Sequence, residues 1–243
     1  MTPTPNTCPR PRLHRAWRAA SALLLACAAL LATTSAARAS AEIVWEGGGN
    51  QRRFACDTDA GAETLLAIFS TPDTFEVDEM EAVIDYCSGT QPFPDWWNFG
   101  AAPRLGVLSV DLLPPTLTAP TLVDYWQGRA GAPTLEWTQT GINMARIVVH
   151  VAMPPGTGAR VVPGSDYFAF RLNIAHTGTT QTMDCGVGVC LVLNDLRFLG
   201  PGVDYRQHYP GQGMTAWQDG VPGCPFIVPV AATTWGGLKA LYR

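Results

Sequence analysis

Four carboxylates crowd six residues, Glu76-Val77-Asp78-Glu79-Met80-Glu81. In an extended strand Glu76 and Asp78 share a face at period two, and a β-bulge would turn Glu81 to join them. Two carboxylates about 5 Å apart across a glycosidic bond are what retaining glycoside hydrolysis requires. The plainer reading is an acidic lead into a strand. Aromatic rings are the other chemical resource. Trp96, Trp97, Trp126 and Trp137 all fall in expected loops, where an exposed indole stacks on a sugar ring or anchors a protein partner. Trp also fills cores under long loops. The Trp96-Trp97 pair is the best placed for binding, because neighbours in an extended loop point opposite ways and one of them can face outward.

Other chemistry finds little footing. The chain has no G-x-S-x-G, H-E-x-x-H, dinucleotide-binding or kinase motif. The triple glycine Gly47-Gly48-Gly49 lacks the Lys-Ser/Thr of a phosphate loop, and Asp57-Thr58-Asp59 lacks the later acids of a calcium loop. His150, His176 and His208 lie on different elements. No metal site and no cofactor is expected.

The first 39 residues have the layout of a secretory leader, which sets the compartment. Arg10, Arg12, Arg15 and Arg18 precede the apolar run Ala19–Ala32, and small residues then offer cleavage at Ala37-Arg38-Ala39 or Ala39-Ser40-Ala41. An alternative is a lipid anchor at Cys27, in the box Leu24-Leu25-Ala26-Cys27. The leader holds five of the 16 basic residues and none of the 20 acids, leaving 11 against 20 and a net charge of about −9. Lys239 is the only lysine. That balance excludes the clustered positive charge through which proteins hold nucleic acid or anionic membrane surfaces.

Five cysteines remain after such processing: Cys56, Cys87, Cys185, Cys190 and Cys224. An oxidising compartment makes disulfides the default. The expected bridges are Cys56–Cys87, joining two early strands, and Cys185–Cys190, closing a loop.

The elements that would position these groups are short strands. Ile43–Trp45, Glu63–Ser70, Glu76–Cys87, Leu105–Leu113, Ala145–Met153 and Pro225–Val230 read as strands. Tyr167–His176 and Val189–Leu199 read as an antiparallel hairpin across the polar turn 177–188, with Phe168, Phe170, Leu172 and Ile174 inward. The connection 114–143 carries Trp126 and Trp137 and at most a short helix at Thr121–Gln127. The tail Thr233–Arg243 reads as a terminal helix. With 24 glycines, 20 prolines and no internal repeat, residues 40–243 are expected to form one all-β domain. Its fold class is an antiparallel β-sandwich, jelly-roll or Ig-like, with a short C-terminal helix.

Two resemblances follow from these residues. Glu76–Glu81 resembles the E-[ILV]-D-x-x-E motif of the laminarinase-like β-glucanases, jelly-roll retaining enzymes. That likeness implies Glu76 as nucleophile, Asp78 as its assistant and Glu81 as acid/base; Glu79 departs from it, standing where that family has an apolar residue. More broadly, several stretches are similar to a group of secreted bacterial proteins of unknown function. They are Met80–Tyr86, Pro94–Trp97, Asp124–Gly128, Ala145–Ile147, Tyr167–Phe170, Cys185–Asp195 and Trp235–Arg243. This second likeness spans most of 54–243 and implies an envelope or extracellular setting without implying an activity. The expectation is therefore a secreted or cell-surface binding or structural module with a glycan or envelope-protein partner and no transmembrane segment after leader removal. The alternative is a β-glucan hydrolase acting through Glu76, Asp78 and Glu81.

Overall fold

Period-two alternation builds most of this molecule. Along Ala145–Met153 the residues Ile147, Val149 and Val151 are fully buried, while Arg146, Val148 and His150 reach the other side. The computed structural model describes residues 39–115, 122–154, 156–208 and 213–220. Over these the chain forms β1 (Ser40–Trp45), β2 (Gln51–Arg52), β3 (Ala62–Ser70), β4 (Phe75–Val77) and β5 (Glu79–Ser88). Then follow β6 (Leu108–Asp111), β7 (Leu122–Asp124), β8 (Thr134–Gly141), β9 (Met144–Ala152) and β10 (Ala159–Val161). The last are β11 (Asp166–Ala175), β12 (Val189–Gly200), β13 (Val203–His208) and β14 (Met214–Trp217). Only two single 3-10 turns, Asp95–Trp97 and Thr179–Gln181, interrupt the strands among the described residues.

Two sheets carry the fold. One has five strands in the order β1-β3-β11-β6, with β7 also on β11; the other has seven in the order β2-β14-β12-β5-β9-β8, with β13 also on β12. A small β10-β4 pair stands apart from both. All pairings are antiparallel except β7–β11 and β2–β14. The apolar faces of the two large sheets share one core, in which Ile43, Leu65, Phe69, Phe168 and Leu172 of the first meet Met80, Ile84, Ile147, Leu193 and Phe198 of the second. This is the all-β sandwich.

Several local expectations change. Tyr167–His176 and Val189–Leu199 are not a hairpin: β11 pairs with β3, β6 and β7, whereas β12 pairs with β5, β13 and β14. Their apolar faces meet the same core from opposite sheets, and alternation alone does not tell a cross-strand neighbour from a facing layer. The connection 114–143 holds β7 where a short helix was expected, and it holds β8, so Trp137 is a strand residue. The stretch 105–113 contracts to β6, leaving Leu105 and Leu113 exposed. The region after 200, for which no strand was expected before Pro225, contains β13 and β14. The leader, the strand 225–230 and the terminal helix 233–243 lie outside the described residues.

Neither expected disulfide forms. Cys56 bonds Cys185, 129 residues away, with Cα atoms 5.8 Å apart. The loops that carry them are docked by other contacts as well. Thr180 donates its backbone N–H to Asp59 Oδ1 at 2.8 Å, His176 Nδ1 donates to the Ala60 carbonyl at 2.7 Å, and Phe54 stacks on the His176 ring at 3.9 Å. Cys185, in the loop before β12, packs into the inter-sheet core, and Cys190, on β12, does not. Cys87 is a buried free thiol, and Cys190 is disulfide-bonded.

Candidate functional site

Of the four tryptophans singled out for binding, three are core. Trp96 and Trp97 lie on the 3-10 turn Asp95–Trp97, whose first amides are capped by the Asp184 carboxylate; Trp96 N–H donates to its Oδ1 at 2.9 Å. Both indoles are fully buried. Trp96 stacks on Trp217 at 4.7 Å, carries the Arg104 guanidinium 4.3 Å from its ring centre, and donates Nε1–H to Thr179 Oγ1 at 2.9 Å. Trp126 is buried between Tyr125 and β11 and donates Nε1–H to the Ala169 carbonyl. None of the three presents a ring to a ligand. The short turn, rather than an extended loop, folds both members of the pair inward.

Trp137 differs. It projects from β8, the edge strand of the seven-stranded sheet, opposite Ile147 in register and therefore toward the sandwich interior. The facing edge there is β6, the last strand of the other sheet on this path. Between the two edges lies a cleft of about 350 Å³ lined by Phe99, Leu105, Leu108, Leu135 and Trp137, with Gly100 and Gly106. The volume is at the small end of ligand sites, enough for one ring-sized group. Trp137 is half-buried, so its indole is both held and accessible.

A relay fixes that indole. Trp137 Nε1–H donates to the Tyr86 hydroxyl, and the Tyr86 O–H donates to the Trp97 carbonyl at 2.9 Å. Burial pushes the Tyr86 phenol well above its ordinary pKa, and the hydrogen bond from Trp137 counters this only in part. The hydroxyl therefore stays protonated and serves as acceptor and donor at once. The edge of the indole also lies directly against Gly100, where any Cβ would overlap ring atoms Cζ3 and Cε3. The only hydrogen-bonding side chain in the lining is thus already committed to Tyr86, and the cleft offers a ligand apolar surface and backbone.

Behind the cleft wall, Arg104 is fully buried, 5.7 Å from the Phe99 ring centre. It donates Nε–H to the Trp96 carbonyl at 3.0 Å and Nη1–H to the Thr177 carbonyl. Desolvation lowers its pKa to about 10, although Asp59 works the other way.

The acidic cluster is split by a change of step at Asp78. Val77 and Met80 both face the core, so two residues lie between them where alternation allows one, and Glu76 and Glu81 both turn away from it. Glu76 is exposed on β4 opposite Arg160. Asp78 is half-buried, its carboxylate against Gly158, and its amide donates to the Leu199 carbonyl at 2.7 Å. Glu81 sits on β5 between His150 and Arg197 in register. The step falls at Asp78, before Glu81, and no bulge lies at Glu81 itself.

The same sheet face carries a denser polar group. The buried Asp85 accepts two hydrogen bonds from Arg146, at 2.7 and 2.9 Å, and one from Asn194 Nδ2 at 2.7 Å. Asp195, also buried, pairs with Arg206. The bulge of β12 at Leu193/Asp195 brings Asn194 to this side. Among the described residues no cluster of three or more His, Cys, Asp or Glu side chains suited to a metal ion occurs.

Sequence reasoning missed Tyr86, Phe99, Gly100 and Leu135 as partners of Trp137. The alternation Leu135-Glu136-Trp137-Thr138 was the available signal for β8. Compared with known proteins, the chain matches no family model and no curated protein.

Proposed function

We propose that this chain is an exported, disulfide-stapled, non-catalytic binding module whose ligand site is the cleft between β6 and β8. The observation that carries the reading is the Trp137 indole, fixed by Tyr86 and Gly100 with a ring face in an open apolar cleft. Of the two partner classes suggested by the sequence, glycan and protein, the lining favours protein. A sugar needs side chains that replace the water on its hydroxyls, whereas an apolar anchor residue needs a dry, shaped pocket. The backbones of two edge strands beside the cleft are compatible with an extended peptide. The Cys56–Cys185 bridge supports residence in an oxidising compartment, as the leader-like first 39 residues do.

The test is selection of displayed peptides on the immobilised protein, run beside a glycan array. Peptides sharing one apolar anchor are expected, with affinity at least tenfold weaker, about 1.4 kcal/mol, for Trp137→Ala. Retention of neutral glycans with no peptide selected would move the reading to carbohydrate. Binding unchanged by Trp137→Ala would remove the cleft.

One observation favours a second reading, hydrolysis of β-glucan. Glu76 on β4 and Glu81 on β5 both turn away from the shared core, and the carboxylate pair of a retaining hydrolase would act from that outer side. Assay of glucan release by the parent protein and by Glu76→Gln tests it; a parent without activity ends it.

A further inference from the structure

Among the described residues β8 is paired along one edge only, by β9. The direction of its remaining main-chain groups follows from hydrogen bonds on β9. The Met153 amide donates to the Asp78 carbonyl at 2.7 Å, and the Asn143 carbonyl accepts from the Ser88 amide at 3.0 Å, both on the β5 side. The Ala152 carbonyl accepts from the Gly131 amide at 2.8 Å, on the β8 side. Main-chain groups alternate sides along an antiparallel strand, and β9 runs against β5 without a bulge. Arg146, Val148 and His150 therefore bond toward β8, and their register partners Thr138, Glu136 and Thr134 bond back. The N–H and C=O groups of Leu135, Trp137 and Gln139 are left facing the open edge. Two of these residues, Leu135 and Trp137, also line the cleft with their side chains. Natural sheets guard such edges with lysine, proline, inward charge or a central bulge. Thr134–Gln139 has none of these, its bulge coming only at Gln139/Gly141.

We propose, resting on the cleft as the ligand site, that β8 takes up an extended segment of another protein as an added antiparallel strand, and that this segment reads apolar–basic–apolar. The residues set opposite Leu135 and Trp137 exchange main-chain hydrogen bonds with them. Opposed residues share a sheet face, so these two put their side chains over the cleft beside the indole. The residue between them faces outward, across from Glu136. That carboxylate is exposed, is the only charge on β8 and has no ion-pair partner among the described residues. A lysine or arginine supplies the missing charge. A second copy of this chain fits less well, because β8 carries no cation to offer another β8.

The opposite wall is the weaker template. The Ala175 amide donates to the Val107 carbonyl at 3.0 Å, so by the same alternation Leu108 and Val110 of β6 turn their main chains to the open side. The strand has four residues against eight in β8, and its Asp111 is already paired with Arg171.

The test uses the full chain and a library of capped heptapeptides, Thr-Thr-X-Z-X-Thr-Thr, with X as Leu, Ile, Val or Phe and Z as Lys, Gln or Glu. Binding is followed by fluorescence polarisation. Peptides with Z as Lys should bind about three- to tenfold tighter than those with Glu, and Glu136→Lys should invert that order. N-methylation of both X amides should weaken binding at least tenfold, while N-methylation of Z should leave it within about twofold. Amide exchange at Leu135 and Trp137 should slow in the complex. Equal binding of the two methylated peptides, or an order of Z unchanged by Glu136→Lys, overturns strand addition, as does a library with no binder. So does a complex formed between copies of the chain without peptide. The cleft is judged apart from these outcomes, by the loss that Trp137→Ala causes with displayed peptides: that loss together with insensitivity to N-methylation leaves the cleft standing and removes the added strand alone.

Discussion

At the scale of single residues, Gly100 decides whether Trp137 can lie where it does. Its φ is not in the left-handed region, so the backbone would accept alanine, but the added Cβ would overlap the indole. Gly100→Ala is therefore expected to shift the tryptophan out of the cleft. Overpacking of this kind destabilises by about 1–3 kcal/mol, and ligand affinity should fall with it. Urea unfolding, with peptide binding measured in parallel, checks both. An unaltered midpoint and unaltered binding would mean that the ring does not rest on Gly100. Neither neighbour of Trp137 that matters here, Gly100 or Tyr86, announces itself in the sequence, because each acts by contact across a long chain separation.

At the scale of elements, the disulfide joins two docked loops rather than two strands. The loop before β3 and the loop before β12 already meet through Asp59–Thr180, Ala60–His176 and the Phe54 stack. The bridge closes a loop of 129 residues, and the chain-entropy account assigns such a closure about 4–5 kcal/mol. The paired substitution Cys56→Ala/Cys185→Ala should lower the unfolding free energy by that order in non-reducing urea titrations. A loss under about 1 kcal/mol would show that docking already restricts the unfolded loop. β8 carries a second lesson at this scale. Its alternation is mostly polar outside, at an edge with only Leu135 and Trp137 turned in, so it looks like a connection until β9 pairs with it.

At the scale of the whole molecule, buried phenols tie stability to alkaline pH. Burial raises Tyr86 well above its ordinary value and does the same to Tyr125, where Asp78 adds to it; Tyr205 shifts the same way. In the unfolded chain tyrosine ionises near pH 10. The sign follows from proton counts: above that pH the unfolded state has lost protons that the folded state keeps, so stability is fully present below about pH 10 and falls as pH rises. Arg104, lowered to about 10, acts in the opposite sense. It gives up its proton more readily when folded and offsets one phenol. The expected net fall is on the order of 1–3 kcal/mol per pH unit above pH 10. Phenolate absorbance followed beside circular dichroism checks it. Tyr86 and Tyr125 should ionise only as the sheet signal is lost, and titration of all six tyrosines in the native fold would contradict the burial argument.

The sequence by itself determined the all-β class, most strands and the residues on their buried faces. Period-two alternation is a local property, and Ile147, Val149 and Val151 or Met80, Ile84 and Tyr86 declare it within a few positions. The break at Asp78 and the identity of β8 were partly legible in the same way. Only the tertiary structure decided what each buried face meets. It placed β11 and β12 in different sheets, joined Cys56 to Cys185, set Cys87 opposite Cys190, and buried Trp96, Trp97 and Trp126 while leaving Trp137 at an open edge. The physical reason is common to all four. Alternation specifies that a side chain leaves water, but the partner that receives it is chosen by pairing and packing between residues tens to more than a hundred positions apart.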